Sequence, residues 1–309
     1  MGGGGGGSVS WPRDTSPDDI LRSSLSAEQR ITYEAELNVY LQDLLVDFNN
    51  RDIDQVNTHL ETIKDALTKE NVGSISLRYG GSIKKHTYVD GLSDIDILAI
   101  IDKSDLVGES PSQVLNYFAN RLRERLPNTE IKTGALAVTV RFSDGHEIQV
   151  LPAISTKVGI RIANDDGISW SNVIKPEKFA QKLTDVNKAN NHGVVPVIKL
   201  FKAINAKLPG DVKLSGYHIE SIAIKAFENY SGTTSRKDML LHLSQFAPEA
   251  VLEPIKDSTG QSIHVDDKLG APRSFQRQKA SASLKRIVAR MKLADSEGSL
   301  QRWKEMFGE

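Results

Sequence analysis

Apolar residues repeat at helical spacing twice in the first quarter of the chain. Leu37, Leu41, Leu44, Leu45 and Phe48 fall on one stripe, and Val56, Leu60, Ile63 and Leu67 on a second, with Asn49-Asn50 between them. Steps of three and four place such side chains on one helix face. Ser26 with Gln29 three residues on is a capping-box pattern, so a long helix is predicted over about 27–49 and another after the break. The period then shortens. Ser74–Tyr79 reads as a strand, and a second strand opens at Asp94 and runs through the apolar stretch to Ile101. Ser110-Pro111 supplies a cap and a first helical residue for a helix to about Leu126. Strands are predicted at 134–143 and 146–153, with Asp144-Gly145 as the hairpin turn. From Pro176 onward the pattern is almost wholly helical. Mixed strands and helices followed by helices alone predict an α+β palm joined to a helical lobe.

The chain length of 309 residues allows one large core or two moderate ones, and two lobes are expected. The organisation that follows is a Gly-rich tail over 1–20, bracing helices over 21–70, the palm over 71–165 and the helical lobe over 166–309. The tail holds six consecutive glycines and little apolar surface, so disorder is expected there. No apolar run is long enough to cross a membrane and no signal peptide is recognisable, so a cytoplasmic protein is expected, with no membrane partner. The sequence has no cysteine, which excludes disulfides, thiolate metal sites and a cysteine nucleophile. Its net charge of −1 lacks the basic excess that nonspecific duplex binding favours. The local exception is Lys268 to Lys292, with Arg273, Arg277, Lys279, Lys285, Arg286 and Arg290 and no acidic residue. It reads either as an amphipathic surface helix with a basic face or as a contact for an oligonucleotide intermediate or an activating nucleic acid.

The chemistry concentrates between Leu77 and Asp102. Side chains alternate along a strand, so Asp94 and Asp96 share one face at roughly 6–7 Å spacing. Two hard carboxylates so placed suit Mg²⁺, which completes its shell with water and substrate phosphates. Gly80-Gly81-Ser82 lets backbone N–H groups form a small anion nest, with the Ser82 hydroxyl as a further donor. A DxD pair or a GGS turn alone is usually structural; in this order, followed by an apolar strand, they point to phosphoryl or nucleotidyl transfer.

The run Gly81-Ser82, four residues, Thr87, then Ser93-Asp94-Ile95-Asp96 resembles the signature of polymerase-β-type nucleotidyltransferases, and especially of the bacterial CD-NTases. The helical half, through to the ending Trp303-x3-Phe307-Gly308, is similar to the helical lobe of that family. The resemblance implies a palm and a helical lobe with the active site in the cleft between them, and long N-terminal helices bracing both. It implies NTP substrates, ATP among them, joined into a cyclic di- or oligonucleotide with Mg²⁺ or Mn²⁺. The implied setting is CBASS anti-phage defence, with regulatory partner proteins encoded nearby.

The family's third carboxylate stands three residues before a Pro-Ala pair, where this chain has Gln149. An amide can coordinate a cation but brings no charge and takes no proton. Three explanations stay open: Glu147, on the same strand face, is drawn in by a local distortion; Gln149 is a weak natural ligand; or a carboxylate was exchanged for an amide by engineering. The resemblance also implies that Lys202, with Lys199 one turn before it, reaches the triphosphate. Tyr217 is implied to stack on a base, and Ser215 stands beside Gly216, which fills the family's usual serine position. Two other readings remain: an RNA or tRNA 3′-end nucleotidyltransferase, and a degenerate homologue that binds nucleotides without turnover.

Overall fold

In the computed structural model the described residues are 25–50, 52–68, 74–90, 92, 94–102, 105–164, 166–257 and 264–309. The expected Gly-rich tail over 1–20 and Ser93 lie outside them. A six-stranded mixed sheet forms the palm: β1 (Ser74–Tyr79), β2 (Ile95–Asp102), β3 (Glu130–Thr133), β4 (Val138–Arg141), β5 (Glu147–Thr156) and β6 (Gly159–Ile162). The strand order is β1-β2-β5-β4-β3, with β6 paired to β5. Only β2 and β5 run parallel. Along β2, Ile95, Ile97, Ala99 and Ile101 are buried while Asp96 and Leu98 are half-buried. Along β5, Ile148 and Val150 are buried while Glu147, Gln149 and Leu151 are half-buried. The period-2 pattern therefore has its physical meaning: one face of the central pair meets a core and the other meets a cleft.

The two N-terminal helices are α1 (Ala27–Asp47) and α2 (Ile53–Thr68). The Ser26–Gln29 capping box is formed, with both reciprocal bonds present. The helices do not make a unit of their own. Tyr33, Leu37, Leu41, Leu44 and Leu45 of α1 join the core of the helical lobe, whereas Val56, Ile63, Ala66 and Leu67 of α2 join that of the palm. An amphipathic stripe records that a face is buried and not what buries it. In the palm, a short turn α3 (Gly81–Lys84) follows β1, and α4 (Pro111–Arg125) carries the expected Ser110 cap and Pro111 at its start.

The helical lobe comprises α5 (Pro176–Ala189), α6 (Val194–Ala206), α7 (Gly216–Phe227), α8 (Arg236–Ala250), α9 (Phe275–Glu297) and α10 (Leu300–Phe307). Its centre is α6, which touches α1, α5, α7, α8 and α10. Trp303 of α10 is fully buried and donates from Nε1 to the Tyr33 hydroxyl of α1 at 2.8 Å, fastening the chain's end to its first described helix.

Candidate active site

A cleft of about 520 Å³ opens between the lobes, lined among others by Gly81, Ser82, Lys85, Asp94, Asp96, Lys202, Gly216, Tyr217 and Glu220. The palm wall is built by register. Asp96 lies level with Gln149 across the parallel β2–β5 pair, and Ile95 with Ile148, so Asp94 stands level with Glu147 at the strand's entrance. The turn α3 sits close on this wall. Gly80 N–H donates to the Asp96 carbonyl at 2.8 Å, and Gly81 has φ +46°, where a Cβ would collide with the Asp96 carboxylate. Position 81 therefore demands glycine twice over, for its dihedral and for its space.

The carboxylates are unsatisfied as charges. Burial, and then Asp94 beside it, push the Asp96 carboxyl up to about 6, with Lys85 and Lys202 opposing. Asp94 is also raised, first by burial and then by Glu147, while a hydrogen bond with the Gln149 side chain pulls the other way. Glu147 is not drawn toward the pair. Arg141, opposite it on β4, donates to its Oε2 from Nε at 3.0 Å and Nη2 at 2.6 Å. Glu147 and Asp94 do share a second hollow of about 500 Å³ beside the main cleft. The donor set of Asp94, Asp96, Gln149 and Glu147 is all oxygen, and the repulsion among its carboxylates is what a hard dication relieves, so the residues present fit Mg²⁺ or Mn²⁺.

The helical wall differs from the sequence-based expectation. Both α6 lysines expected at the triphosphate are buried, Lys199 and Lys202 being 7% and 8% exposed, and only one of them reaches the cleft. Lys202 lines the cleft, but its Nζ donates to Glu220 Oε1 at 2.9 Å and to the Thr87 carbonyl at 3.0 Å. Lys199 does not line it; its Nζ donates to Asn49 Oδ1 at 2.5 Å, behind the cleft and toward α1. The reason is the central place of α6, whose polar positions are covered by neighbours that bring their own acceptors. Burial lowers the Lys202 ammonium against the pull of Glu220. Burial works to raise Glu220, yet Lys85 and Lys202 outweigh it and hold this fully buried carboxyl below its usual range.

Tyr217 stands at the start of α7, with its ring centroid 4.6 Å from that of Phe179 and its hydroxyl donating to Asp257 Oδ1 at 2.8 Å. Lys85 Nζ lies 5.1 Å from the Phe179 ring and 5.3 Å from that of Tyr217. The two rings, with Leu98, Leu151, Ile162 and Ile174, line an apolar chamber of about 290 Å³ that continues from the cleft floor at Gly81 and Asp96. Ser215 caps α7, its Oγ accepting from His218 N–H at 3.2 Å, and is not among the lining residues, whereas Gly216 is.

Sequence reasoning missed Lys85, Glu220 and Phe179. A signal existed for Glu220, the lone acidic residue in the mostly apolar α7: a solitary carboxylate on a buried helix requires a cationic partner. The basic segment is weaker than its composition suggested. Arg277 is fully buried against Asp266 at 2.6 Å, Arg273 pairs with Glu253 at 3.0 Å, Lys285 with Glu249 at 2.9 Å, and Lys279 with Asp211.

A mixed sheet with carboxylates on the strand wall of a cleft, closed by a helical lobe, is the polymerase-β-like nucleotidyltransferase fold. The model of the Second Messenger Oligonucleotide or Dinucleotide Synthetase domain, SMODS, matches residues 31–187, just over half of the chain, which therefore belongs to that family. A cyclic AMP-AMP-AMP synthase of Acinetobacter sp. is 25% identical over 232 residues, covering 71% of this chain and 64% of that protein, so the match spans a little under two thirds of the curated relative. CdnC of E. coli MS115-1, solved with ATP, superposes with a TM-score of 0.64 at 17% identity, covering 92% of this chain and 98% of that one. In a complex with HORMA-deltaN, CdnC gives a TM-score of 0.64 at 17% identity, covering 86% and 91%. At such identity the likeness is one of fold.

Proposed function

We propose that the chain is a metal-dependent nucleotidyltransferase that condenses NTPs into a cyclic di- or oligonucleotide and releases pyrophosphate. The observation that carries this is the pair Asp94 and Asp96 on the cleft wall directly beside the Gly81-Ser82 turn, two carboxylates raised first by burial and then by a neighbouring carboxylate, Glu147 for Asp94 and Asp94 for Asp96. A bound Mg²⁺ or Mn²⁺ supplies charge neutralisation at the reacting phosphate. Asp94 and Asp96 would hold it, with Gln149 or Glu147 completing the set.

The chain's own groups do the rest. Ser82 and the α3 backbone take the phosphate tail, and the Tyr217–Phe179 chamber takes a base. Lys85 and Lys202 bring positive charge to the same cleft, although Glu220 already holds both. In each condensation a ribose hydroxyl oxygen bonds to an α-phosphorus, the bond to the pyrophosphate oxygen breaks, and the hydroxyl proton passes to the carboxylate wall. The cyclic AMP-AMP-AMP synthase and the CdnC structure with ATP support extending this reading to ATP as a substrate, and the CdnC complex with HORMA-deltaN to a protein partner; CBASS anti-phage signalling is the setting the reading proposes. No described helix is long and apolar enough to cross a membrane.

The test incubates purified chain with all four NTPs and Mg²⁺ or Mn²⁺ and resolves phosphatase-resistant products. A cyclic product absent from Asp96→Asn is expected; no such product under any metal or partner condition sinks the reading. Arg141 on Glu147 and Gln149 on Asp94 favour one competitor, a binder without turnover. Nucleotide binding without product, unchanged by Gln149→Asp, would establish it. The RNA 3′-end reading needs a long basic face, and the ion pairs of 268–292 remove much of the one candidate.

A further inference from the structure

A second cluster lies outside this chemistry, where α2 meets the β4–β5 hairpin. His59 Nε2 is 2.7 Å from Asp144 Oδ2, and His146 Nδ1 is 3.2 Å from Asp144 Oδ1. One ligand atom from each residue can be chosen so that all lie within 4.8 Å of one another. We propose that His59, Asp144 and His146 bind one zinc-class divalent cation whose remaining position faces the hollow shared with Asp94 and Glu147.

The donor set carries the argument. Two imidazoles and one carboxylate suit a borderline cation such as zinc, in contrast to the all-oxygen set in the cleft. Zinc bonds of about 2.0–2.1 Å put tetrahedral ligand atoms about 3.4 Å apart, so the two Asp144 contacts of 2.7 and 3.2 Å would open slightly, and the wider separations, up to 4.8 Å, would close. The His59 side chain is 9% exposed, and its ring is held flat on Phe142, with centroids 3.6 Å apart and planes at 15°. Its Nε2 meets both Asp144 and the Gln55 amide nitrogen, at 3.2 Å, so one ring nitrogen faces two neighbours. His146 Nδ1 is the independent sign: it is buried, and although Asp144 is near, it has no hydrogen bond of acceptable geometry. A buried donor or acceptor left in that state is costly, and coordination satisfies it.

Access is present as well. Asp144, Gly145 and His146 line the hollow of about 500 Å³ with Asp94 and Glu147. His146 directly precedes Glu147, the first residue of β5. A cation there would tie α2 to the strand that carries Glu147 and Gln149. The competing account is a plain hydrogen-bonded His–Asp–His brace between helix and hairpin.

The experiment uses the full chain, stripped with chelator, in an Asp94→Asn/Asp96→Asn background that removes the cleft carboxylates. Zinc is titrated by calorimetry, with Co²⁺ as a spectroscopic probe of coordination. The expected result is one zinc per chain, a tetrahedral cobalt band and a higher melting temperature with zinc. Adding His146→Ala or, separately, the near-isosteric Asp144→Asn should weaken binding at least tenfold while far-UV circular dichroism shows the fold retained. Absence of stoichiometric zinc in the folded parent, or binding indifferent to both substitutions, overturns the proposal. The metal readout is independent of nucleotide turnover, so its failure leaves the nucleotidyltransferase reading untouched.

Discussion

The two walls of the cleft carry similar charges to opposite ends. On the palm side Glu147 acts on Asp94 and Asp94 on Asp96, and burial with this like charge raises both carboxyls. On the helical side Glu220 lies between Lys85 and Lys202, with Thr87 Oγ1 donating to it at 2.5 Å, and its carboxyl is lowered. One wall is short of a cation, whereas Glu220 has two, Lys202 from its own lobe and Lys85 from the palm. A site that leaves like charges together has use for a ligand that the fold does not provide. Charges closed upon one another hold structure first, and Lys202 can serve a phosphate only by sharing itself with Glu220.

The sharpest way to break this comparison is to exchange the roles of the walls. Asp96→Asn should reduce turnover by about a thousandfold, or ~4 kcal/mol of barrier. Its melting temperature without metal should hold or rise, because a repulsion is removed. A fall in stability comparable with the fall in rate would make Asp96 structural. Glu220→Ala should instead unfold the protein more easily, by about 3 kcal/mol in urea titrations, because Lys85 and Lys202 are left buried without their anion. Stability kept and turnover alone lost would place Glu220 in the chemistry.

Acidity separates the regions next. Asp96, with a folded pKa near 6 against 3.8, favours the fold at low pH, and that contribution is lost as pH rises through about 6. His218 is lowered from 6.5 to about 4, chiefly by burial, although Asp266 opposes this from 3.4 Å. Its contribution is present above about 6.5 and is lost as pH falls toward 4. Across pH 4 to 6 the two compensate in the metal-free chain, each changing stability by about 2 kcal/mol. Asp96→Asn should therefore steepen the loss of stability on acidification, measured by denaturation at several pH values; an unchanged profile counts against the Asp96 shift. The smallest effect belongs to the surface. Lys285→Ala removes an exposed ion pair with Glu249 and should cost about 0.5 kcal/mol or less. A large effect would show that 268–292 does more than coat the lobe.

Local pattern made one wall legible and not the other. Alternation along β2 placed Asp94 and Asp96 on one face, and the hairpin turn, both caps and the glycine turn followed from residue types with known backbone needs. The burial of Lys199 and Lys202 was not readable, because helical spacing gives the angle between two side chains and not the neighbours that cover them. The pairing of Lys202 with Glu220 is short in sequence, but Thr87, the other partner, is 115 residues away. His59 and Asp144 are 85 residues apart and meet only once α2 has docked. Gln149 was legible as a departure, and the structure adds that its side chain bonds to Asp94 while Arg141 holds Glu147.

The division of α1 and α2 between separate cores has a mechanical consequence. Among the described residues the backbone passes between the lobes after Phe48 and again between β6 and α5. The first passage is pinned from both sides, by Asp90 N–H donating to the Phe48 carbonyl at 3.1 Å and by Lys199 on Asn49. The lobes are tied across the cleft as well, by Lys85 on Glu220 and by Lys202 on the Thr87 carbonyl at 3.0 Å. Any change in the angle between the lobes must therefore part buried, charge-assisted bonds, and a phosphate that draws Lys85 or Lys202 away from Glu220 acts on the lobe contact at the same time.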